Sequence, residues 1–401
     1  MVYDYTKLLN SENDNFYNTW RDIYDSALSL PQNFLYLLRH SVYLPFDHYR
    51  IIAAYAFIPS VFARIVPYLF LYGVSGSGKS TIGKLISFLH GIEITSSSTT
   101  FAAIRNKLED RRKRELFIQP SDPKFPGGYL KEVPANTCMV WDDIDATTFT
   151  SNNDIYRLFK FGYDASCDTI EVSSDVTGQN LKFRCFCPKT FSSISPLHVN
   201  EQLKELRRRL IVIPTKKIED LSDVRKQELG IDDNNWETKL INIDAYRWKG
   251  FGKLFHEFWD LELSELYLTS RKLLANYIKG YRSNERAISI DLITTGVVTG
   301  IWNNEDEAII DVKNYWRWFK SEVTVAESPL IQLLTSLVKQ EQTNAFNGGI
   351  EPSINNQQIR AHCDIWYQQG QLLDRPTSKT ISEAMNQLGY RLVIGGQWVR
   401  L

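Results

Sequence analysis

The sequence predicts an α/β protein centred on a parallel β-sheet, with helical segments before and after it in the chain and a small module at the C-terminus. Three observations predict this. Short apolar runs alternate with helical patterns from Tyr68 onward. The first run ends in a glycine-rich turn that opens a helix, YLFLYGVSGSGKST at 68–81. Residues 326–401 then change character to three helices followed by two short strands.

Composition narrows the class. A chain of 401 residues, 43% hydrophobic and 23% charged, suits a globular protein of two or three domains with a sizeable core. The formal net charge of −1 gives no global surplus for nucleic acid, so any such partner needs local basic patches. Cysteines at 138, 167, 185, 187 and 363 lack metal-finger spacing and read as reduced cytosolic thiols. The opening MVYDYTKLLNSEND is polar and acidic, unlike a signal peptide. The apolar run at 51–74 is broken by Pro59, Arg64 and Pro67, so no membrane span and a cytoplasmic location are expected.

In chain order, residues 1–66 read as a helical region, with apolar residues at three-to-four spacing in NDNFYNTWRDIYDSAL and again over 48–57 and 60–66. Strands are expected at 68–72, 137–141, 189–194 and 210–213, making 67–215 the sheet domain. Within it, 168–186 reads as a β-hairpin around a polar turn containing Gly178. The basic stretch RNKLEDRRKREL, 105–116, reads as a helix. Residues 216–250 are a polar connector, 251–323 return to helix, and 216–325 together form connector and helical region. Expected helices at 328–340, 355–370 and 377–390, and strands around Gly395-Gly396, fill 326–401.

The chemistry concentrates in the first turn. Gly73-x-x-x-x-Gly78-Lys79-Ser80 is a Walker A P-loop placed between a buried strand and a helix, where backbone N–H groups and the helix N-terminus receive phosphates. Gly73, Ser75, Gly76, Ser77, Gly78, Lys79, Ser80 and Thr81 are the nucleotide-binding candidates. Lys79 would reach the β- and γ-phosphates of ATP, and the Ser80 hydroxyl would bind Mg²⁺. The helix keeps Ile82, Leu85, Ile86 and Leu89 on its core face and stops at Gly91. TCMVWDDID, 137–145, supplies the acidic partner: Asp142 for Mg²⁺ and Asp143 to polarise the attacking water. The strand CPKTFSSIS, 187–195, carries hydroxyls suited to sensing the γ-phosphate, Ser193 first, with Ser192 and Thr190 as alternatives. ELRRRLIVIP, 205–214, offers an arginine finger for a neighbouring subunit, Arg209 first and Arg208 second; the plainer reading is a solvated basic helix end.

This order of motifs resembles the AAA+ ATPases, and more narrowly the helicases of phages, plasmids and other mobile elements, including primase-helicases and superfamily 3 relatives. The matching pieces, PYLFLYGVSGSGKST, SSSTTFAAIRNKL, MVWDDID, CPKTFSSI and LRRRLIVIP, lie within about 50–215. The resemblance implies an AAA+ P-loop core acting as an ATP-dependent DNA helicase or translocase in replication. It implies a homo-oligomeric ring, a hexamer by expectation, with ATP between subunits and a separate primase or polymerase for priming. It also implies that the hairpin grips single-stranded DNA, with Lys182 and Arg184 as contacts, unless the hairpin is only structural. The helical segment 251–323 would be a lid over the nucleotide, with Arg282 or Arg286 as a second sensor.

The tail resembles a winged-helix domain. Its third helix buries Ile381, Ala384 and Leu388 and turns Lys379, Ser382, Asn386 and Gln387 outward, towards duplex or forked DNA or towards a protein partner. Trp398 and Val399 are expected to pack onto the helices. A rival reading is an AAA+ loader or transposition regulator that binds DNA without unwinding it. A small-molecule P-loop kinase is more distant, because it leaves the tail without a role.

Overall fold

The structure, a computed structural model, describes residues 18–400 apart from 97–98, 111–112, 119–128, 135–137, 146–147, 150–152, 174–179, 200–202, 232–235, 260, 279–282, 328, 349–353, 369–374 and 394. The chain divides into two compact units, Met1–Lys313 and Asn314–Leu401.

In the first unit the described chain starts with β1 (Asn18–Thr19) and a 3₁₀ turn at Trp20–Ile23, not the expected helix. The Asp22 carboxylate accepts a hydrogen bond from Thr19 N at 2.8 Å, and Trp20 packs edge-on against Phe251 at 5.1 Å, so local capping and a distant ring override helical spacing. Helix α1 (Leu30–Ser41) begins at a capping box: Ser29 N donates to Gln32 Oε1 at 3.0 Å and Gln32 N to Ser29 Oγ at 3.4 Å. It buries Phe34, Leu37 and Leu38, and α2 (Tyr49–Ala56) is buried on nearly every side. The expected helix over 60–66 does not form; Pro59 lacks an amide donor and turns the chain out of α geometry.

The sheet follows. In chain order come β2 (Tyr68–Tyr72), α3 (Lys79–His90), α4 (Phe101–Asp110), β3 (Lys113–Ile118), β4 (Tyr129–Pro134), β5 (Met139–Trp141) and α5 (Asn153–Phe161). Then come β6 (Thr169–Ser173), β7 (Asn180–Arg184), β8 (Lys189–Ser193), α6 (Lys204–Arg207) and β9 (Leu210–Pro214). Four of these strands form a parallel sheet in the order β5-β8-β2-β9, and Thr95 adds a parallel bridge to Trp141 at its β5 edge. Strand β2 sits between two neighbours, and Tyr68 to Leu71 are fully buried, which is why its sequence is uninterruptedly apolar.

Two antiparallel hairpins are inserted in this α/β order. The β6–β7 hairpin matches the expectation over 168–186, although its turn lies outside the described residues. The β3–β4 hairpin replaces part of the helix expected over 105–116: α4 stops at Asp110, and Lys113–Ile118 pairs antiparallel with Tyr129–Pro134. Cross-strand pairing decided this, and helical periodicity does not register it. Helix α4 docks on β7, with the Arg105 guanidinium 3.9 Å from the Phe183 ring centre and Glu109 Oε2 accepting from Arg184 N at 3.2 Å.

Beyond the sheet lie α7 (Asp223–Leu229), α8 (Trp236–Lys239), β10 (Tyr246–Arg247, parallel to β1), α9 (Phe251–Phe258), α10 (Leu261–Tyr277), α11 (Ser283–Val298) and α12 (Glu305–Glu327). Helices α10 and α11 are joined by a buried polar knot: Asp291 accepts from Tyr267 Oη at 2.9 Å and from Arg271 Nε. Burial raises the Asp291 carboxyl pKa, and Arg271 partly offsets the rise. The division between units falls inside α12, upstream of the expected boundary at 325/326.

The second unit holds α13 (Pro329–Gly348), β11 (Ile354–Asn355), α14 (Asn356–Gln368), α15 (Ser378–Gln387), β12 (Tyr390–Val393) and β13 (Gln397–Arg400), with an antiparallel sheet ordered β11-β13-β12. Its own core gathers Leu334, Ile359, Ile381, Met385 and Trp398. Thr377 caps α15 by accepting from Thr380 N at 3.2 Å. Trp398 packs inward as expected, whereas Val399 is 44% exposed because strand neighbours face opposite ways. Among the described residues no helix is long and apolar enough to cross a membrane.

Candidate active site

At the C-terminal end of β2 the P-loop begins at Gly73. A Cβ there would lie 2.2 Å from Thr215 O and 2.5 Å from Thr215 Oγ1, so only glycine lets β9 come this close. At Gly78 φ is +91° and a Cβ would meet Val42 Cγ2 at 2.3 Å. Gly73 and Gly78 are thus set by neighbours from other segments. The loop is also tied internally: Ser77 Oγ donates to Val74 O at 2.7 Å and lies 2.7 Å from Thr215 Oγ1.

Lys79 opens α3 and is buried. Its ammonium donates to Gly73 O at 2.6 Å and Val74 O at 2.8 Å, folded back on the loop carbonyls. Burial lowers the Lys79 pKa, and the charges of Asp142 and Asp143 act in the opposite direction. Across the cavity Asp142 and Asp143 follow the end of β5. Asp142 Oδ2 accepts from Ser80 Oγ at 2.8 Å, and Asp142 Oδ1 accepts from Ser192 Oγ. Asp143 has a φ of +58°, a left-handed conformation held by its N–H donating to Ser192 Oγ at 2.9 Å and by Ile144 N donating to Ser192 O at 2.8 Å. Because β8 lies between β2 and β5, Ser192 at its end sits between the phosphate loop and the acids.

These groups line one cavity of about 850 Å³. Ser75, Gly76, Ser77, Gly78, Lys79, Ser80, Thr81, Asp142, Asp143 and Ser192 all face it, so most of the expected nucleotide site is brought together. The first choice of sensor is corrected: Ser193 is fully buried and its hydroxyl accepts from Ser195 N at 3.1 Å, away from the acids. The alternation of strand side chains puts the Ser192 hydroxyl, and not that of Ser193, beside the acids. The first choice of finger is corrected too. Arg209 is 3% exposed, with its guanidinium 4.1 Å from the Tyr163 ring centre and its carbonyl accepting from Tyr68 N at 2.8 Å. It is locked into its own chain by the start of β9. The Arg208 side chain is 53% exposed and pairs with Glu205 at 3.1 Å.

The expected lid lies elsewhere. Described residues of 251–313 contribute nothing to the cavity lining; residues 41–43, 216–219, Trp236 and Leu240 do. Arg286 Nε donates to Ile278 O at 3.0 Å just beyond α10, and Arg282 lies outside the described residues. The apolar side of the cavity is made by Val42, Tyr43, Ile218, Trp236 and Leu240, and Tyr43 anchors a cluster with Leu221 and Ile231. Sequence reasoning missed this wall because its residues lie in short non-periodic segments on either side of the sheet domain.

The expected DNA contacts are scattered. Lys182 pairs with Glu171 at 3.0 Å and Arg184 with Asp168 at 4.0 Å across the β6–β7 hairpin. On α15, Lys379 and Asn386 are exposed and Ser382 is half-buried.

No protein-family model matches the sequence. No curated protein matches it.

Proposed function

We propose that the chain is a magnesium-dependent ATPase that binds ATP in the cavity between the P-loop and Asp142–Asp143. The observation that carries this reading is the 2.8 Å hydrogen bond joining Ser80 Oγ at the start of α3 to Asp142 Oδ2. Two hard oxygen donors side by side fit magnesium, which keeps much of its water and needs few protein ligands. It therefore needs no cluster of three His, Cys, Asp or Glu residues, and the described residues hold none. Mg²⁺ held by Ser80 and Asp142 would neutralise charge on the β- and γ-phosphates.

The chain's own groups do the rest. Loop N–H groups and the α3 N-terminus take the phosphates, and Lys79 leaves the Gly73 and Val74 carbonyls to join them. Asp143 polarises the attacking water, Ser192 keeps both aspartates in place, and the base lies against Tyr43 and Trp236. Replacing Lys79 with Ala abolishes ATP hydrolysis on this reading; undiminished hydrolysis would sink it.

The AAA+ assignment draws support from β8 lying between the P-loop strand and the acid strand. On that basis the chain is a DNA helicase or translocase of a mobile element, working as a homo-oligomeric ring. Arg208 serves as the finger, and the second unit serves as a winged helix that offers Lys379 and Asn386 to DNA. One observation favours the rival, a loader that remodels a partner without unwinding: Glu171 and Asp168 balance the hairpin's two cations. Strand displacement on a forked substrate separates the two, and solution mass with and without ATP tests the ring.

A further inference from the structure

Two lysines beside the phosphate loop have no role in the reading above. Lys216 and Lys217 follow β9 and line the same cavity as the P-loop. Their backbone is held at both ends. On one side Thr215 N donates to Tyr72 O at 2.7 Å, and Thr215 Oγ1 donates to Tyr72 O at 3.1 Å and lies 2.7 Å from Ser77 Oγ. On the other, Ile218 opens a 3₁₀ turn and packs into the apolar cluster of Tyr43, Leu221 and Ile231. The lysines therefore stand on a bridge pinned to the loop. The terminal methylene of Lys217, Cε, is 3.9 Å from where a Cβ on Gly76 would lie, so its ammonium hangs at the loop rim. Among the described residues neither ammonium has an ion-pair or hydrogen-bond partner.

Charge decides what they are for. The charged residues lining the cavity are Lys79, Lys216 and Lys217 against Asp142, Asp143 and Glu219, three of each sign. Without the lysine pair the lining would hold one cation and three anions, and it would repel a magnesium-bound triphosphate, itself a net anion. We propose that Lys216 and Lys217 are polyphosphate-binding residues, gripping the nucleotide from the β9 side of the loop while Ser80 and Asp142 act from the β8 side. They set affinity more than the chemical step, because they lie across the loop from Asp143. The inference rests on the ATPase reading.

The test is equilibrium binding of fluorescent ATP, with steady-state hydrolysis, for wild type, Lys79→Ala, Lys216→Gln/Lys217→Gln and Lys216→Arg/Lys217→Arg. The glutamine pair should weaken affinity and raise KM about tenfold, equivalent to about 1.4 kcal/mol, while kcat stays within about twofold. Its binding should also depend less on salt, since two exposed charges are gone. The arginine pair should bind as wild type does. Lys79→Ala losing ATP while the glutamine pair binds normally overturns the lysine inference alone. Wild type failing to bind ATP overturns the ATPase reading with it. Both lysines are exposed, so an unchanged thermal midpoint is expected and separates lost binding from lost folding.

Discussion

Two hydroxyls, Ser80 Oγ and Ser192 Oγ, donate to the two oxygens of one carboxylate at Asp142, and Ser192 also accepts the amide of Asp143. This single serine therefore fixes a carboxylate and the left-handed backbone of its neighbour. Removing its hydroxyl leaves Asp142 held by Ser80 alone and the Asp143 amide without its side-chain partner. Ser192→Ala is expected to lower kcat for ATP at least about tenfold, a modest share of what one misplaced catalytic donor costs. The adjacent Ser193→Ala should change kcat by less than about twofold, since its hydroxyl only accepts from Ser195 N. Equal effects of the two substitutions in a steady-state ATPase assay would refute the assignment of Ser192. Sequence alone put Ser193 ahead of Ser192, because which face of a strand meets the acids is set by the neighbouring strands and not by the strand's own residues.

At the scale of elements, the hairpins and the tail behave differently. The β6–β7 hairpin was legible from two β-rich runs around a polar turn, and its cross-strand register pairs Glu171 with Lys182 directly. That register also neutralises the cation expected to touch DNA. Glu171→Gln is expected to strengthen single-stranded DNA binding on the helicase reading, because it releases Lys182; an unchanged binding isotherm would favour a structural hairpin. The tail elements were legible for another reason. Leu334, Ile359, Ile381, Met385 and Trp398 recur at helix and strand periods and meet in one core. Trp398 is almost fully buried and its Nε1 donates to Asn356 Oδ1 at 3.2 Å. Trp398→Ala should cost about 3–5 kcal/mol and unfold the second unit first, seen as an early transition in urea.

For the whole molecule, two buried imidazoles contribute to acid sensitivity. His48 and His198 both have pKa values lowered to about 4, chiefly by burial and secondarily by Arg225 and Arg207 respectively. Unfolded, each takes up a proton near its ordinary 6.5, so the unfolded state binds more protons between about pH 6.5 and 4. Their contribution is present above pH 6.5 and is lost as pH falls towards 4. Asp291, with its raised pKa, acts in the opposite sense and softens the loss. The urea midpoint should therefore fall steadily from pH 7 to pH 4.5, and His198→Gln should flatten part of that slope. An unchanged slope in the variant would remove His198 from the account.

The strand, glycine turn and helix of the P-loop, the acidic pair after β5, the β6–β7 hairpin and the tail elements were determined by sequence alone. Each is written in a contiguous run whose periodicity or turn chemistry has one physical reading. Tertiary structure alone decided the rest: which serine faces Asp142, that Arg209 is locked under Tyr163, and that Tyr43, Trp236 and Lys217 wall the same cavity. It also decided that the described residues of 251–313 stay out of that cavity and that Lys113–Ile118 pairs antiparallel with Tyr129–Pro134. Those features depend on contacts between separate segments of the chain, and the free energy of such contacts leaves no pattern within any one segment to read.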